Sequence, residues 1–291
     1  MAPPPTREPQ VKINRSPGYN PCFDEMLGDE LRLRMMQIPG GNFMMGSPEN
    51  EVDRLDSEGP EHRVSIETFF LGKYPVTQAQ WRFVAGLRQV NIALEPEPSN
   101  FKKGDDHPVE QVSWHDSVEF CDRLSAHTGK QYQLPTEAQW EYACRANTTT
   151  PFHFGSTITT EVANYDGTDA EDGSWSGSYG NGPKGEYRKT TTPVDYFDLA
   201  NAFGLCDMHG NVWEWCADHW HVNYENAPTD GSAWLTDDES SNRVRRGGSW
   251  YYFPRNCRSA SRDDKSPGNR NYIIGFRVSC RAPRTLQPSA S

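Results

Sequence analysis

The residues of this 291-residue chain that could do chemistry are first its thiols and imidazoles. The seven cysteines are an odd number, and no two of them form a Cys-x-x-Cys pair. In a reducing compartment such cysteines are mostly small buried apolar residues. Cys257 stands in an irregular stretch between Arg243 and Cys280, where a thiol could be a catalyst or part of the core. Because cysteine ranks among the most buried residue types, we expect Cys257 to be buried.

The eight histidines are scattered, and His219 and His221 are spaced by two, as on one edge of a strand. No third ligand for a metal ion is obvious from the sequence, although protein metal centres usually have three or more. The chain also lacks a P-loop, a glycine-rich dinucleotide fingerprint and a G-x-S-x-G motif. Its sequence therefore does not indicate nucleotide-dependent or serine-hydrolase chemistry.

Three short helices are predicted from apolar periodicity and capping residues. The first runs from Thr77 to Leu87 with Thr77 as N-cap, and the second from Ser113 to Gly129 with Gly129 as C-cap. The third follows Thr136, because Gln139 three residues on completes a capping box.

The remaining segments are predicted to be strands, loops and tails. The stretch LRLRMMQIPGGNFMMGS predicts a hairpin that turns at Gly40 and Gly41, and HRVSIETFFLGKYPVT predicts a strand region. From Thr148 to Thr192 little periodicity is present, so we expect metal ions to order this loop. Residues 1–30 are predicted to be a tail or an arm along the edge of one domain, residues 31–282, and residues 283–291 a second tail.

Composition narrows the possible partners. Glycine (24), proline (22) and tryptophan (9) are frequent, which indicates many turns held by large aromatic rings. The formal charge of -11 would repel phosphate backbones, so we expect no nucleic-acid partner. No apolar run approaches the roughly 20 residues of a membrane helix, and the first residues, MAPPPTREPQ, lack the apolar stretch of a signal peptide. The predicted location is cytoplasmic, away from membranes.

Five ordered motifs resemble a known family. NFMMGS, HRVSIETFFLGKYPVTQAQW, HPVEQVSWHDSVEFCDRLSAHTGKQYQLPTEAQWEYACRA, NAFGLCDMHGNVWEW and RRGGSW…IGFRV are similar to motifs of the formylglycine-generating enzyme (sulfatase-modifying factor) family, over about residues 31–282. The resemblance implies an irregular, C-type-lectin-like α+β fold of the formylglycine-generating-enzyme type, with few helices, short strands and much loop held by calcium.

The resemblance implies copper chemistry only in part. The family's enzymes oxidise a substrate cysteine to formylglycine with copper held by two cysteines, and thiolates are the soft ligands that Cu(I) prefers. Their positions here are Tyr252 and Cys257. The first thiol is absent, and counted back from IGFR the segment is about three residues short, so that Cys257 loses its alignment with the second ligand. We therefore do not expect copper.

The resemblance also implies two structural calcium sites, since calcium takes six to eight oxygen ligands. The first maps to Asn164, Tyr165, Glu186 and Arg188, and the second to Asp207, Gly210, Val212 and Glu214. The alternative at the second site is that Glu214 pairs with an arginine and Asp207 caps a turn.

The segment from Gly247 to Arg277 resembles the variable region of a diversity-generating retroelement protein. In such proteins adenine-directed mutation of Asn codons diversifies an exposed binding face on a C-type-lectin scaffold. The framework positions, which look fixed, are Gly247, Gly248, Ser249, Trp250, Pro254, Cys257, Arg258, Arg262, Pro267, Arg270 and residues 275–277. The variable positions are Tyr251, Tyr252, Phe253, Ser261, Asp263, Asp264, Lys265, Ser266, Gly268, Asn271, Tyr272 and Ile273. The alternative is an ordinary loop whose aromatic residues pack into the core.

These patterns lead to a first hypothesis of a non-catalytic protein that binds a protein or other macromolecular ligand. Three consecutive aromatic residues, Tyr251 to Phe253, cannot all face inward on a strand, so at least one should be exposed. Exposed clustered aromatic residues usually bind something. The alternative hypotheses are a copper-dependent oxidase acting on a peptide cysteine, and a structural or regulatory member of the family without an exposed site.

Overall fold

The regular elements of the chain are short and lie far apart in the sequence. We describe a computed structural model that covers Lys12, Asn14 and residues 16–281. Its strands in chain order are β1 (Cys22–Met26), β2 (Arg32–Ile38), β3 (Gly41–Met45), β4 (His62–Ile66), β5 (Phe69–Gly72), β6 (Tyr132–Gln133), β7 (Trp213–His219), β8 (Arg243–Arg246), β9 (Arg262–Lys265), β10 (Ile274–Gly275) and β11 (Ser279–Arg281). Its helices are α1 (Gln78–Ala85), α2 (Trp114–Thr128) and α3 (Glu137–Arg145).

Two larger sheets carry the domain. An antiparallel sheet has the strand order β1-β2-β5-β11-β6, and a mixed sheet has the order β10-β7-β8-β9. Both faces of β7 are buried, with Trp213 and Trp215 in one apolar cluster and Cys216 in another. The mixed sheet therefore lies between two cores, and its strands β8, β9 and β10 come from the last segment of the sequence.

The three predicted helices are confirmed. Their N-caps are Thr77, Ser113 and Thr136, and each makes a complete capping box, which satisfies two otherwise unpaired backbone N–H groups. Gly129 ends α2 in the left-handed conformation, with φ of 73°. Local capping chemistry thus decides where the helices begin and end.

The predicted hairpin at Gly40 and Gly41 is wrong. β2 pairs with β1 and β5, whereas β3 pairs only with β4, so the turn carries the chain from one sheet to another. The strand pattern was correct, but both edges of β2 are already occupied, one by β1 and the other by β5, so β3 cannot pair with it. The strand region after His62 is confirmed as β4 and β5.

The segments at the domain's limits are partly described. Within the predicted arm, Cys22–Met26 forms the edge strand β1, and Tyr132 Oη–H donates to Glu25 Oε2 at 2.6 Å. The predicted tail 283–291 lies outside the described residues. No helix in residues 16–281 is both long and apolar enough to cross a membrane.

The long segment before β7 has no helix or strand between Arg145 and Trp213, as its lack of periodicity predicted. It folds around a small apolar cluster that contains Phe152, Tyr165 and Cys257. Apolar contacts with the last segment therefore contribute to its order. An ordering role for metal ions stays a prediction.

Candidate ligand-binding surface

The last segment enters the site through a turn that only glycine fits well. Gly247 and Gly248 have φ values of 96° and 74°, where side chains are strained. A Cβ atom on Gly248 would lie 2.5 Å from Cys257 Sγ. A Cβ atom on Gly247 would lie 3.0 Å from the Trp140 ring, so close packing as well as backbone conformation favours glycine at both positions.

Two framework arginines of the segment pair with carboxylates in the interior. Arg258 contacts both oxygens of Glu58 at 2.6 and 2.7 Å and also bonds Glu51 at 2.6 Å. Arg262 contacts both oxygens of Glu137, the first residue of α3, at 2.7 and 2.8 Å. The two arginines are 1 % and 3 % exposed. Bidentate pairs of this kind fix geometry as well as contribute energy.

The other end of the segment is held in the same way. Arg270 contacts both oxygens of Asp116, at the start of α2, at 2.8 Å each. Arg277 contacts both oxygens of Glu214 on β7 at 2.6 and 2.7 Å. The four acids lie on different elements, so the framework residues attach the segment to the domain at four separate places.

Most of the variable positions are at least partly accessible. Tyr251 and Tyr272 are 49 % and 36 % exposed. Lys265, Ser266 and Gly268 are also exposed, and Tyr252, Phe253, Asp263, Asp264 and Asn271 are half-buried. Five of the twelve variable positions are thus exposed and five are half-buried. Three of the four framework arginines are buried, and the side chain of the fourth, Arg270, is 56 % exposed.

At two variable positions the prediction of ligand contact disagrees with the structure, because both side chains are buried. Ser261 is 2 % exposed. Ile273 is 6 % exposed and belongs to the main apolar cluster. The carbonyl of Ile273 also accepts the backbone N–H of Trp213 at 2.8 Å. Their side chains face the interior, so neither can contact a ligand in this conformation. The sequence pattern could not separate them from their exposed neighbours, because one residue of register decides the face.

The exposed tyrosines belong to an aromatic patch, which we define as Phe101, Tyr187, Trp250, Tyr251 and Tyr272. Trp250 is buried at its centre, with its ring centroid 5.5 Å from that of Tyr251 and 5.7 Å from that of Tyr272. Phe101 and Tyr187 contact Trp250 at 5.3 and 6.1 Å. Sequence reasoning missed these last two residues, because they come from loops 63 or more positions away and carry no local signal.

Asp263 has a structural contact that the sequence did not indicate. Arg245, 1 % exposed, donates from Nη2 to Asp263 Oδ2 at 2.7 Å, while its Nε and Nη1 have no hydrogen-bond partner. The arginine also lies over the Trp213 ring, at 4.9 Å from its centroid. Asp263 is therefore the carboxylate that balances a buried charge, and it belongs as much to the framework as to the surface.

The residues at the copper positions do not fit that metal. Cys257 is fully buried, as expected, and burial raises the pKa of its thiol far above the ordinary value. The thiolate that a copper ion needs is therefore disfavoured. At the other position, Tyr252 packs edge to face on Trp213, with centroids 5.6 Å apart.

At the second calcium position, Asp207, Gly210, Val212 and Glu214 lie in the turn before β7 and at its start, but Glu214 does not fit a calcium ligand. Both of its oxygens contact Arg277, and Oε2 also accepts Trp140 Nε1–H at 2.7 Å. Asp207 accepts the backbone N–H of Asp195 at 3.2 Å, and burial raises its pKa to about 6. The alternative from the sequence, an arginine pair and a turn contact, describes this geometry.

The first calcium position fits a cation in part. Asn164 is 1 % exposed, and its Oδ1 atom is buried without a hydrogen-bond partner, while Nδ2 donates to the Thr190 carbonyl at 2.9 Å. A buried oxygen without a partner is costly, and a cation would satisfy it. Tyr165 follows directly, but the Glu186 carboxylate pairs with Arg188. Within the described part of the chain, no group of three His, Cys, Asp or Glu residues has the geometry of a metal site.

Comparison with known proteins shows the family and the fold of this chain. Residues 28–282 match the model of the sulfatase-modifying factor enzyme 1-like domain. Formylglycine-generating enzyme of Mus musculus is 29 % identical, over 84 % of this chain and 74 % of its own length. The structure of PvdO from Pseudomonas aeruginosa is 31 % identical with a TM-score of 0.73, over 92 % of this chain and all of that one. Treponema denticola variable protein 1 is 24 % identical with a TM-score of 0.67, over 90 % and 99 %.

The irregular α+β architecture with short strands is thus a C-type-lectin-like fold of the formylglycine-generating-enzyme type. The chain belongs to the sulfatase-modifying factor enzyme family, whose domain model spans nearly all of the described residues.

Proposed function

We propose that this protein is a non-catalytic ligand-binding protein that presents the accessible variable positions between Tyr251 and Tyr272 to a partner. The proposal depends on one observation, which is that the last segment contains two sets of residues with different contacts. Its framework arginines pair with acids of the domain, while Tyr251 and Tyr272 stay exposed beside them. A surface whose backbone is held independently of its exposed side chains can change those side chains without refolding.

The partner that such a surface fits is a protein or another macromolecule. Tyrosine gives a large contact area at a low cost in conformational entropy, and it is enriched among the residues that dominate binding energy. Asp264 and Lys265, accessible positions of the same segment, add charges that select between partners. The net charge of -11 argues against nucleic acid as the partner.

The proposal includes diversification of the segment by a retroelement, and the fold shared with Treponema denticola variable protein 1 supports it. The test is to sequence the DNA downstream of the gene. We expect a near-copy of the codons for residues 247–277, a reverse transcriptase gene nearby, and differences only where the copy has adenine. Codons for Arg258, Arg262, Arg270 and Arg277 should be identical in both copies, since each arginine pairs with an acid. Absence of such a repeat would remove the diversification mechanism.

A second candidate is copper-dependent oxidation of a peptide cysteine, which the identity to a formylglycine-generating enzyme favours. Tyr252 in place of the first thiol and the buried Cys257 argue against it. The test adds copper to the full chain and then a peptide carrying the sulfatase motif. Stoichiometric copper binding together with aldehyde formation would establish the oxidase, and we expect neither.

We also propose a structural calcium ion at the first position, because Asn164 Oδ1 has no partner there. Calcium at one hundred times its Kd should increase the free energy of unfolding of chelator-treated protein by about 2.7 kcal/mol. The increase is measured as a rise in melting temperature. Asn164→Ala should abolish that increment, whereas Asn50→Ala, at an exposed position, should leave it intact. An unchanged increment in Asn164→Ala would show that calcium binds elsewhere.

A further inference from the structure

Asp166 is a carboxylate without a cationic partner beside the proposed binding surface. It is 8 % exposed, and Oδ1 accepts the backbone N–H and the hydroxyl of Thr168 at 2.9 and 2.6 Å. In the part of the chain that the structure describes, no Lys, Arg or His forms an ion pair with it, and Arg188 pairs with Glu186 instead. A largely buried carboxylate is usually paired, and among the described residues only Oδ1 has a hydrogen-bond partner, so Oδ2 is free to accept from a cationic group.

The position of Asp166 connects it to the aromatic patch. Its backbone N–H donates to the carbonyl of Tyr252 at 2.9 Å, so it lies against the variable segment. The next residue, Gly167, donates its backbone N–H to the carbonyl of Glu186, which directly precedes Tyr187, at 3.1 Å. These backbone contacts place Asp166 beside the parts of the chain that carry Tyr187 and Tyr251.

Aromatic rings and a carboxylate together favour a cation. Ring faces attract ammonium and guanidinium groups within about 6 Å, most strongly where water is excluded. Lys189 already lies over the Tyr187 ring, with Nζ 5.5 Å from the centroid. Guanidinium fits such a site better than ammonium, because it stacks on a ring and donates to a carboxylate from the same plane.

We propose that Asp166 and the aromatic patch form a subsite for an arginine side chain of the protein partner. The proposal rests on the proposed function, since it takes Tyr251 and Tyr272 as contact residues. It adds the chemical class of the group that the partner inserts, and it assigns Asp166, which lies outside the variable segment, as the residue that selects for positive charge. Because Asp166 is not a variable position, the preference for a cation would persist when the variable residues change.

The test titrates the full chain with N-acetyl-arginine amide and follows the tyrosine ring resonances by NMR. We expect saturable shifts, and binding about tenfold weaker for the citrulline analogue, which has the same shape without the charge. Asp166→Asn should weaken arginine binding about tenfold as well. Asparagine keeps an acceptor for Thr168, so this variant should stay folded. Asp172→Asn is the matched control, because Asp172 is exposed and makes the same contact two residues on, to Ser174.

Equal binding of the arginine and citrulline compounds, or unchanged binding in Asp166→Asn, would overturn the inference. The titration is repeated with calcium, and competition between calcium and the arginine compound would assign Asp166 to a metal site instead. Either result leaves the proposed function standing, since the template repeat and the tolerance of the variable positions are tested separately.

Discussion

Replacing Glu214 by glutamine is expected to lower the free energy of unfolding by about 3–5 kcal/mol, the usual cost of leaving one partner of a buried ion pair alone. Glu214 and Arg277 are 1 % and 0 % exposed and share two hydrogen bonds. Loss of the carboxylate leaves the guanidinium charged and buried, and it weakens the bond from Trp140 as well. Urea unfolding of both proteins in chelator measures the difference.

Glu239→Gln is the matched control for this experiment. Glu239 also pairs with a buried arginine, Arg243, but its own side chain is 83 % exposed, so the change should cost about 1 kcal/mol or less. If Glu214→Gln were harmless in chelator but abolished a stabilisation by added calcium, Glu214 would be a calcium ligand and not the partner of Arg277. The two results thus decide between the readings of the second calcium position.

Replacing Ile273 by asparagine is expected to destabilise the domain by about 3 kcal/mol, because it removes buried apolar volume and inserts an amide into the core. Ile273 is 6 % exposed and belongs to the main apolar cluster. The neighbouring change Tyr272→Asn should cost about 1 kcal/mol, which corresponds to one partly exposed aromatic contact. Thermal unfolding of both variants gives the comparison.

The two variants together test where the proposed binding surface ends. A cost of several kcal/mol for both would mean that the tyrosine is part of the core, as the ordinary-loop hypothesis holds. A small cost for both would mean that Ile273 can be exposed and that its burial is not required. Only a large cost at residue 273 with a small cost at residue 272 agrees with a surface that tolerates exchange.

The arginine subsite and the variable positions would have different roles in recognising the partner. Asp166 would select the charge of the inserted group in every variant, because it lies outside the segment. Tyr251 and Tyr272 would set affinity and shape, since large rigid side chains bury much area when they bind. A diversified binder built in this way would sample many partners within one chemical class.

The sequence by itself determined the local features of this protein. The N-caps Thr77 and Thr136 predicted where the first and third helices begin, because a capping side chain satisfies backbone groups two or three residues away. The loop before β7 was predicted from its lack of periodicity. The ordered motifs identified the family, and Gly247 and Gly248 were placed among the positions that look fixed. All of these depend on neighbours in the chain.

Only the tertiary structure decided which partners those elements meet. The turn at Gly40 looked like a hairpin, but the distant strand β5 occupies the edge of β2. Ile273 and Tyr272 looked alike in the pattern, yet one faces the core and the other the surface. Glu214 looked like a calcium ligand until Arg277, 63 residues away, was found on both of its oxygens. Tyr187 and Asp166 join the surface from a loop without local signal, since long-range packing, and not sequence spacing, brings them there.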